Sequence, residues 1–390
     1  MNEEFPNEEN AMNACETRRP KLASERGAIS ILVVVAAVPL LVAIGALLTV
    51  SVAHHDQCEQ ELGRTTAAIT SFTGAQDALD RLEQARTLNG EFDLTVNGGT
   101  AHVRGTPWLG DGIDEDKNGL VDDAKEKNVF SIRSDGWLNA LAGGESNPAV
   151  RSYHAVTNVV AEVTDFEFSF GQAIYIDDPA AKIDLNGGAF ELSGNDENLD
   201  GSKGPGAARA AVGVNGDPKG VIAQVSNNQK AHIVGNLPDP AIGQTDALDW
   251  DHYLEMLGPL ASIQWDDGTS FSGNIGDYAN RKGVIAHATG DLKVHGTTTG
   301  AGILIVDGDL EIDGHFEFAG LILVHGNVSF QGGGGAKELY GAMLLWGKDP
   351  PGAPHEDLEI NGTVQVEYSS QGLDIASTSG GVRVLSWREQ

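Results

Sequence analysis

Cysteine is almost missing from this chain, with only Cys15 and Cys58 in 390 residues. Two cysteines cannot form a disulfide framework, so the fold must rest on a packed core. Cations are scarce too: 25 Lys and Arg stand against 56 Asp and Glu, for a formal charge of -31. That balance excludes nucleic acid as a partner and argues against adhesion to anionic lipid, since both need a basic surface. No GxSxG, HExxH, phosphate loop or dinucleotide fingerprint occurs in a supporting context, so the common catalytic signatures are missing as well. The most informative absence is local. From Gly27 to Ala53 there is no charged residue at all.

That run reads GAISILVVVAAVPLLVAIGALLTVSVA. A bilayer's hydrocarbon core is about 30 Å thick and needs about 20 helical residues to cross it. The run carries no polar stripe of helical period and exceeds the apolar core of a secretory signal, so it predicts a transmembrane helix over 27–53. Arg18, Arg19, Lys21 and Arg26 precede it, whereas His54, His55 and Asp56 follow. Cationic flanks stay in the cytoplasm, which places a disordered, acidic 1–26 leader inside and the bulk of the chain outside. Cys15 and Cys58 then lie on opposite sides of the bilayer and do not pair. Cys58 is either a free surface thiol or a link between two chains.

Beyond the membrane, Leu62, Ile69, Phe72, Leu79 and Leu82 recur at helical spacings, predicting an amphipathic helix over 54–88. The 89–170 region reads as a small α+β head. It holds a hairpin of Phe92–Val96 and Thr100–Val103 around Asn97-Gly98-Gly99, a strand at Val129–Gly136, and a long strand from Tyr153 to Phe170.

Within that head lies DGIDEDKNGLVDD (Asp111–Asp123). Asp114, Asp116 and Asn118 alternate, Gly119 permits a sharp turn, and Asp122 and Asp123 follow. This spacing lets one tight loop offer several oxygens to Ca²⁺, as at the start of an EF-hand loop, but Lys125 stands where the bidentate Glu belongs. A weaker match, NDENLDG, offers Asp196, Asn198 and Asp200. The alternative for the first is an acidic solvated turn, and for the second a polar loop.

The clearest repetition begins at Gly283. GVIAHATGDLKVHG, GILIVDGDLEIDG and GLILVHGNVSFQG open at Gly283, Gly302 and Gly320, and GAMLLWG opens a fourth copy at Gly341. A fixed period of about 20 residues signals a solenoid, and with no helix in the repeat each copy should be one coil of a right-handed parallel β-helix. The copies and the C-terminal strands occupy 283–390. The stretch 171–195 has the same texture and is expected to supply the first coils. The 196–282 segment reads as an insertion with one helix at Asp246–Leu257.

The Arg26-Gly27 pair before an apolar helix resembles the processing junction of type IV pilin-like proteins. Taken with the small head and GILIVDGDLEIDG…FEFAGLILVHGNVSFQGGGG…LYGAMLL, the whole order resembles PilX-type pilus-assembly proteins, with TadE/TadG-like pilus proteins as a near alternative. The resemblance implies cutting between Gly27 and Ala28 by a prepilin peptidase. It also implies other pilus or pseudopilus subunits as partners, and a single-pass place in a bacterial cytoplasmic membrane with a periplasmic or extracellular bulk. Leu32 departs from the pattern, because most pilins carry Glu at that fifth mature position.

Parallel β-helices also host polysaccharide-active enzymes. Asp307, Asp309, Glu311 and Asp313 alternate with apolar residues, which puts them on an ordinary outward face, and His287, His295, His315 and His325 sit at turns without metal-ligand spacing. The sequence therefore reads as a non-catalytic structural or assembly protein. A surface adhesin or calcium-dependent binding module is the first alternative, and a polysaccharide-active β-helix enzyme the second.

Overall fold

One helix, α1, runs unbroken from Ala23 to Ala85 through Pro39. The computed structural model describes residues 23–114, 121–122, 126–142, 149–186, 189–332, 335–346 and 357–390, with side chains along α1 from residue 38 onward. Threonine hydroxyls brace the helix: Thr49, Thr66, Thr70 and Thr73 each donate to the carbonyl four residues back at 2.8 Å. It stops where Arg86 turns left-handed (φ 57), and the Arg86 amide donates to the Leu82 carbonyl at 2.8 Å.

The outer half of α1 lies on an antiparallel sheet formed by β1 (Gly90–Val96), β2 (Gly99–Pro107), β3 (Val129–Ala142), β4 (Ala149–Val163) and a closing strand, Val382–Glu389. Asn97 and Gly98 both have positive φ (49 and 80), so the β1–β2 link is a turn whose twist suits a hairpin. The long strand expected to reach Phe170 ends at Val163. Beyond it Phe166, Phe168 and Phe170 form an aromatic row with centroids 5.7 and 6.1 Å apart.

Of the apolar positions that predicted this helix, Leu79 and Leu82 pack on the head's core, and small residues supply the rest of the packing face. Ala67, Thr70, Ser71, Ala75, Ala78 and Leu82 are buried, whereas Leu62, Ile69 and Phe72 are exposed. The cause is close approach. A side chain at Gly63 would meet the Tyr153 ring, one at Gly74 would meet Ser134 and Ala101, and one at Gly136 would meet the helix backbone at Ala67. Small residues let helix and sheet come within reach of a Ser71–Thr157 hydroxyl contact at 2.9 Å. Bulk on that face would hold them apart.

Most of the remaining chain builds parallel sheets. In the long sheet Val284–Ala288, Thr297–Val306, His315–Val324 and Lys337–Leu345 lie side by side in register. In a narrower sheet Leu292–Val294, Leu310–Asp313, Val328–Gln331 and Leu358–Ile360 do the same. The chain alternates between the two, and most neighbouring tiers are 18 residues apart. The runs ILIV and LILV are buried on both faces, which is why they read as continuous hydrophobic stretches rather than alternating ones. One side faces an interior holding Phe316, Phe318 and Phe330. The other is covered by the helices Trp250–Leu257 and Ser370–Ser377.

Tier order differs from chain order. Gln172–Ile176, Ile183–Leu185 and Ala189–Ser193 were expected to lead the array, but they pair with Met343–Leu345, Leu358–Ile360 and Thr363–Glu367, at its far end. The 196–282 segment is also no outlying insertion. Its strands Ala210–Val214 and Ile242–Gln244 extend that same end, and Ile263–Trp265 and Thr269–Phe271 extend the opposite one. Unpaired edges of parallel sheets are costly to leave bare, and these short strands cover them. Repeat texture marks a segment as a tier without fixing its neighbour.

Candidate functional site

Among the described residues, most of the exposed large hydrophobic side chains lie on α1. Leu40, Leu41, Val42, Leu47, Leu48, Val50 and Val52 are each more than half exposed. Among the described residues this is the one helix long and apolar enough to cross a membrane, and it is compatible with a single-pass anchor. The apolar surface does not stop at Ala53. Leu62, Ile69 and Phe72 lie seven and three residues apart on one helix face, and the Phe72 ring sits 5.1 Å from Trp387 of the closing strand, where Val384 and Leu385 are exposed too. Gly27 and Ala28 fall inside the helix, whose backbone begins at Ala23, upstream of the expected junction. Cys58 is a free, exposed thiol on the same helix.

Of the first acidic loop, Asp114 and Asp122 are described, while Asp116, Asn118 and Asp123 lie outside the described residues. Asp122 adopts φ 53, and its Oδ1 accepts the Gly110 amide at 2.5 Å and the Gly112 amide at 3.3 Å. The Asp111 carboxylate accepts the Ile113 amide at 2.8 Å.

The residues of the second loop bond to protein groups. Asp196 is 3% exposed. Its carboxylate accepts the Ser370 amide at 2.7 Å, the Ser370 hydroxyl at 2.9 Å and the Gly206 amide at 2.5 Å. Asn198 donates to Ser202 Oγ at 3.0 Å, and Asp200 accepts the Ser202 amide at 2.9 Å. Asp196 thus ties the 195–206 loop to the helix Ser370–Ser377.

The narrow sheet presents a polar groove of about 360 Å³ beside Lys293, Glu311, Ser329, Gln331 and Glu359. Lys293 Nζ donates to Glu311 at 2.5 Å, and Ser329 Oγ donates to Glu359 at 2.9 Å. Along its wall runs a ladder. The Asp291 amide donates to the Asp267 carboxylate, the Asp309 amide to Asp291, and the Asn327 amide to Asp309, each at 2.8 Å. The carboxylates at the GD turns therefore cap the next tier's backbone, and Asp309 has a structural occupation.

The turn histidines disperse. His287 Nε2 lies 3.0 Å from Asp307 Oδ2, His325 stacks on Trp250 at 4.8 Å, and His295 Nδ1 lies 3.3 Å from Ser270 Oγ. Among the described residues, no three His, Cys, Asp or Glu side chains gather in an arrangement fit for a metal ion.

Among the buried charged groups that the sequence reading did not single out, Lys337 and Glu367 each keep an atom without a hydrogen-bond partner. Lys337 is 1% exposed, and its Nζ has no hydrogen-bond partner. Glu367 is 5% exposed, with Oε2 equally unpartnered. Lys337 was findable. Counted back from the repeat glycine Gly341 it fills the slot that Phe316 fills before Gly320, which points inward. Glu367 alternates correctly as an outward residue of VQVEY, and nothing local signals that a distant loop covers it.

No family model and no curated protein matches the chain. Among solved structures, the competence-associated pilin ComZ from Thermus thermophilus aligns over 83% of this chain and 98% of its own, at 11% identity and a TM-score of 0.20. A likeness that slight carries no argument about this chain.

Proposed function

We propose that this chain is a membrane-anchored structural subunit of a type IV pilus-like assembly, of the PilX type or the related TadE/TadG-like type. In this reading the leader stays in the cytoplasm, a prepilin peptidase cuts between Gly27 and Ala28, and the head carries a right-handed parallel β-solenoid outside the membrane. It performs no catalysis. One observation carries the reading: Leu62, Ile69 and Phe72 remain exposed beyond the bilayer-length segment, while small residues serve the helix's own head. An anchor that served only to tether has no use for an apolar strip there, whereas lateral packing against another subunit's helix does.

The test is a pair of experiments on membranes of the native host. N-terminal sequencing should find a chain starting at Ala28. A photo-crosslinker at position 69 should capture a subunit of the same envelope assembly, and Ile69→Asp with Phe72→Ser should abolish capture while the chain stays membrane-bound. Capture of lipid alone, or an intact leader, overturns the reading.

A second reading, a surface adhesin, draws support from the polar groove on the narrow sheet, whose Lys, Glu, Ser and Gln side chains suit a hydroxylated ligand. Binding of a glycan by the full chain, lost in Glu311→Ala, would favour it. The calcium reading belongs with either: Ca²⁺ should raise the melting temperature, and Asp116→Asn should remove that response.

A further inference from the structure

The loop 195–205 lies across the outer face of the long sheet. The Glu197 amide donates to the Tyr368 carbonyl at 3.0 Å, the Leu199 amide donates to Gln371 Oε1 at 3.0 Å, and Leu199 packs on Ala301, Ala319 and Ile375. Beneath it the register stacks acidic side chains. Glu317 lies beside Glu338, Gln365 separates Glu338 from Glu191, and Glu367 sits between Tyr340 and Ser193. Glu367 is buried with Oε2 unpartnered, and Glu197 on the loop is the carboxyl placed to share a hydrogen with it.

Cations do not balance this cluster. Among the described residues neither Glu197 nor Glu367 makes an ion pair with Lys or Arg. Around the pair, Lys203 and Asp374 are exposed, Arg209 lies over the Tyr368 ring with 5.8 Å to its centroid, and Asp196 is bound to Ser370. Arg281, near Asp200, and Tyr278, near Glu317, complete the surroundings. Two carboxylates in hydrogen-bond reach with no counter-ion repel, while a carboxyl and a carboxylate attract.

We infer that one proton held between Glu197 and Glu367 latches the 195–205 loop onto the parallel stack, and that losing it at alkaline pH releases the loop. Burial, then the Glu197 and Glu191 charges, push the Glu367 carboxyl up to about 8, against a Ser193 hydrogen bond that favours the carboxylate. Burial and Glu191 raise Glu197 as well. A carboxyl held above its unfolded value contributes stability that is complete below that unfolded value and is lost as pH rises through the folded one. The window therefore runs from about 4.5 to about 8. Opening bares the Glu367 carboxyl, whereas Glu191 at the end of the row is exposed already.

Hydrogen exchange read by mass spectrometry on the full chain in micelles tests this, following peptides over 195–206 in wild type and Glu367→Gln. Comparing the two at each pH cancels intrinsic exchange rates. Wild-type protection relative to the variant should fall about tenfold from about pH 7 to about pH 9. A ratio that stays flat overturns the latch. So does recovery of protection at about pH 9 on adding CaCl₂ to wild type alone, which would make the site a cation site. Should Glu367→Gln not fold, Glu197→Gln in the same comparison must abolish the pH dependence, or the inference fails.

Discussion

Lys337 sits where the tier above carries Phe316, so its ammonium belongs to a phenylalanine slot. Burial lowers its pKa, and the nearby Asp313 charge opposes that shift only in part. Burying an unpaired ammonium costs free energy, so Lys337→Met should stabilise the chain by about 1–3 kcal/mol in chemical denaturation. The sign of the pH effect follows. Because the folded pKa lies below the unfolded 10.5, the wild type gains stability as pH climbs toward that value, and the Met variant should lose this slope. Gly320 is the opposite case, a small residue with no substitute. Its φ is 144, it stacks between Gly302 and Gly341, and a Cβ there would strike the Gly302 carbonyl. Gly320→Ala should cost more than about 2 kcal/mol, read as a fall in denaturation midpoint.

At the scale of elements, legibility depended on how local the cause was. The hairpin turn at Asn97-Gly98 and the tiers at Gly302, Gly320 and Gly341 were visible because the backbone there demands residues that sequence displays. The parallel pairing of ILIV with LILV followed from the same repeat. The packing face of α1 was visible only at Leu79 and Leu82. Reading large apolar residues as inward fails when the partner sheet approaches so closely that only Gly, Ala and Ser fit, and Leu62, Ile69 and Phe72 then turn outward. The role of Asp196 was hidden for a related reason: its loop resembles a cation loop, yet its carboxylate accepts from Ser370, 174 residues away. Asp196→Ala should therefore loosen the helix Ser370–Ser377 in hydrogen exchange, leave a buried cluster of amides without an acceptor, and lower stability by about 1–3 kcal/mol.

At the scale of the whole molecule, the end of α1 is tied both to the parallel stack and to the segment after β4. Lys282 Nζ meets Glu83 at 2.8 Å, and Arg86 holds the Thr164 carbonyl at 2.6 Å beside Asp165. The tighter join is covalent order. The head opens with α1 and β1, the chain then builds the parallel stack, and only the last strand returns to pair with β4 along Thr157–Val163. That return has a consequence for biosynthesis. A ribosome delivers the anchor before the stack and this edge after it, so the head stays unfinished, with one edge of β4 unpaired, until the stack has emerged. Shortening the chain before Val382 should leave the tiers intact while the head's amides exchange freely, which makes the final strand a seal certifying that everything between has been made.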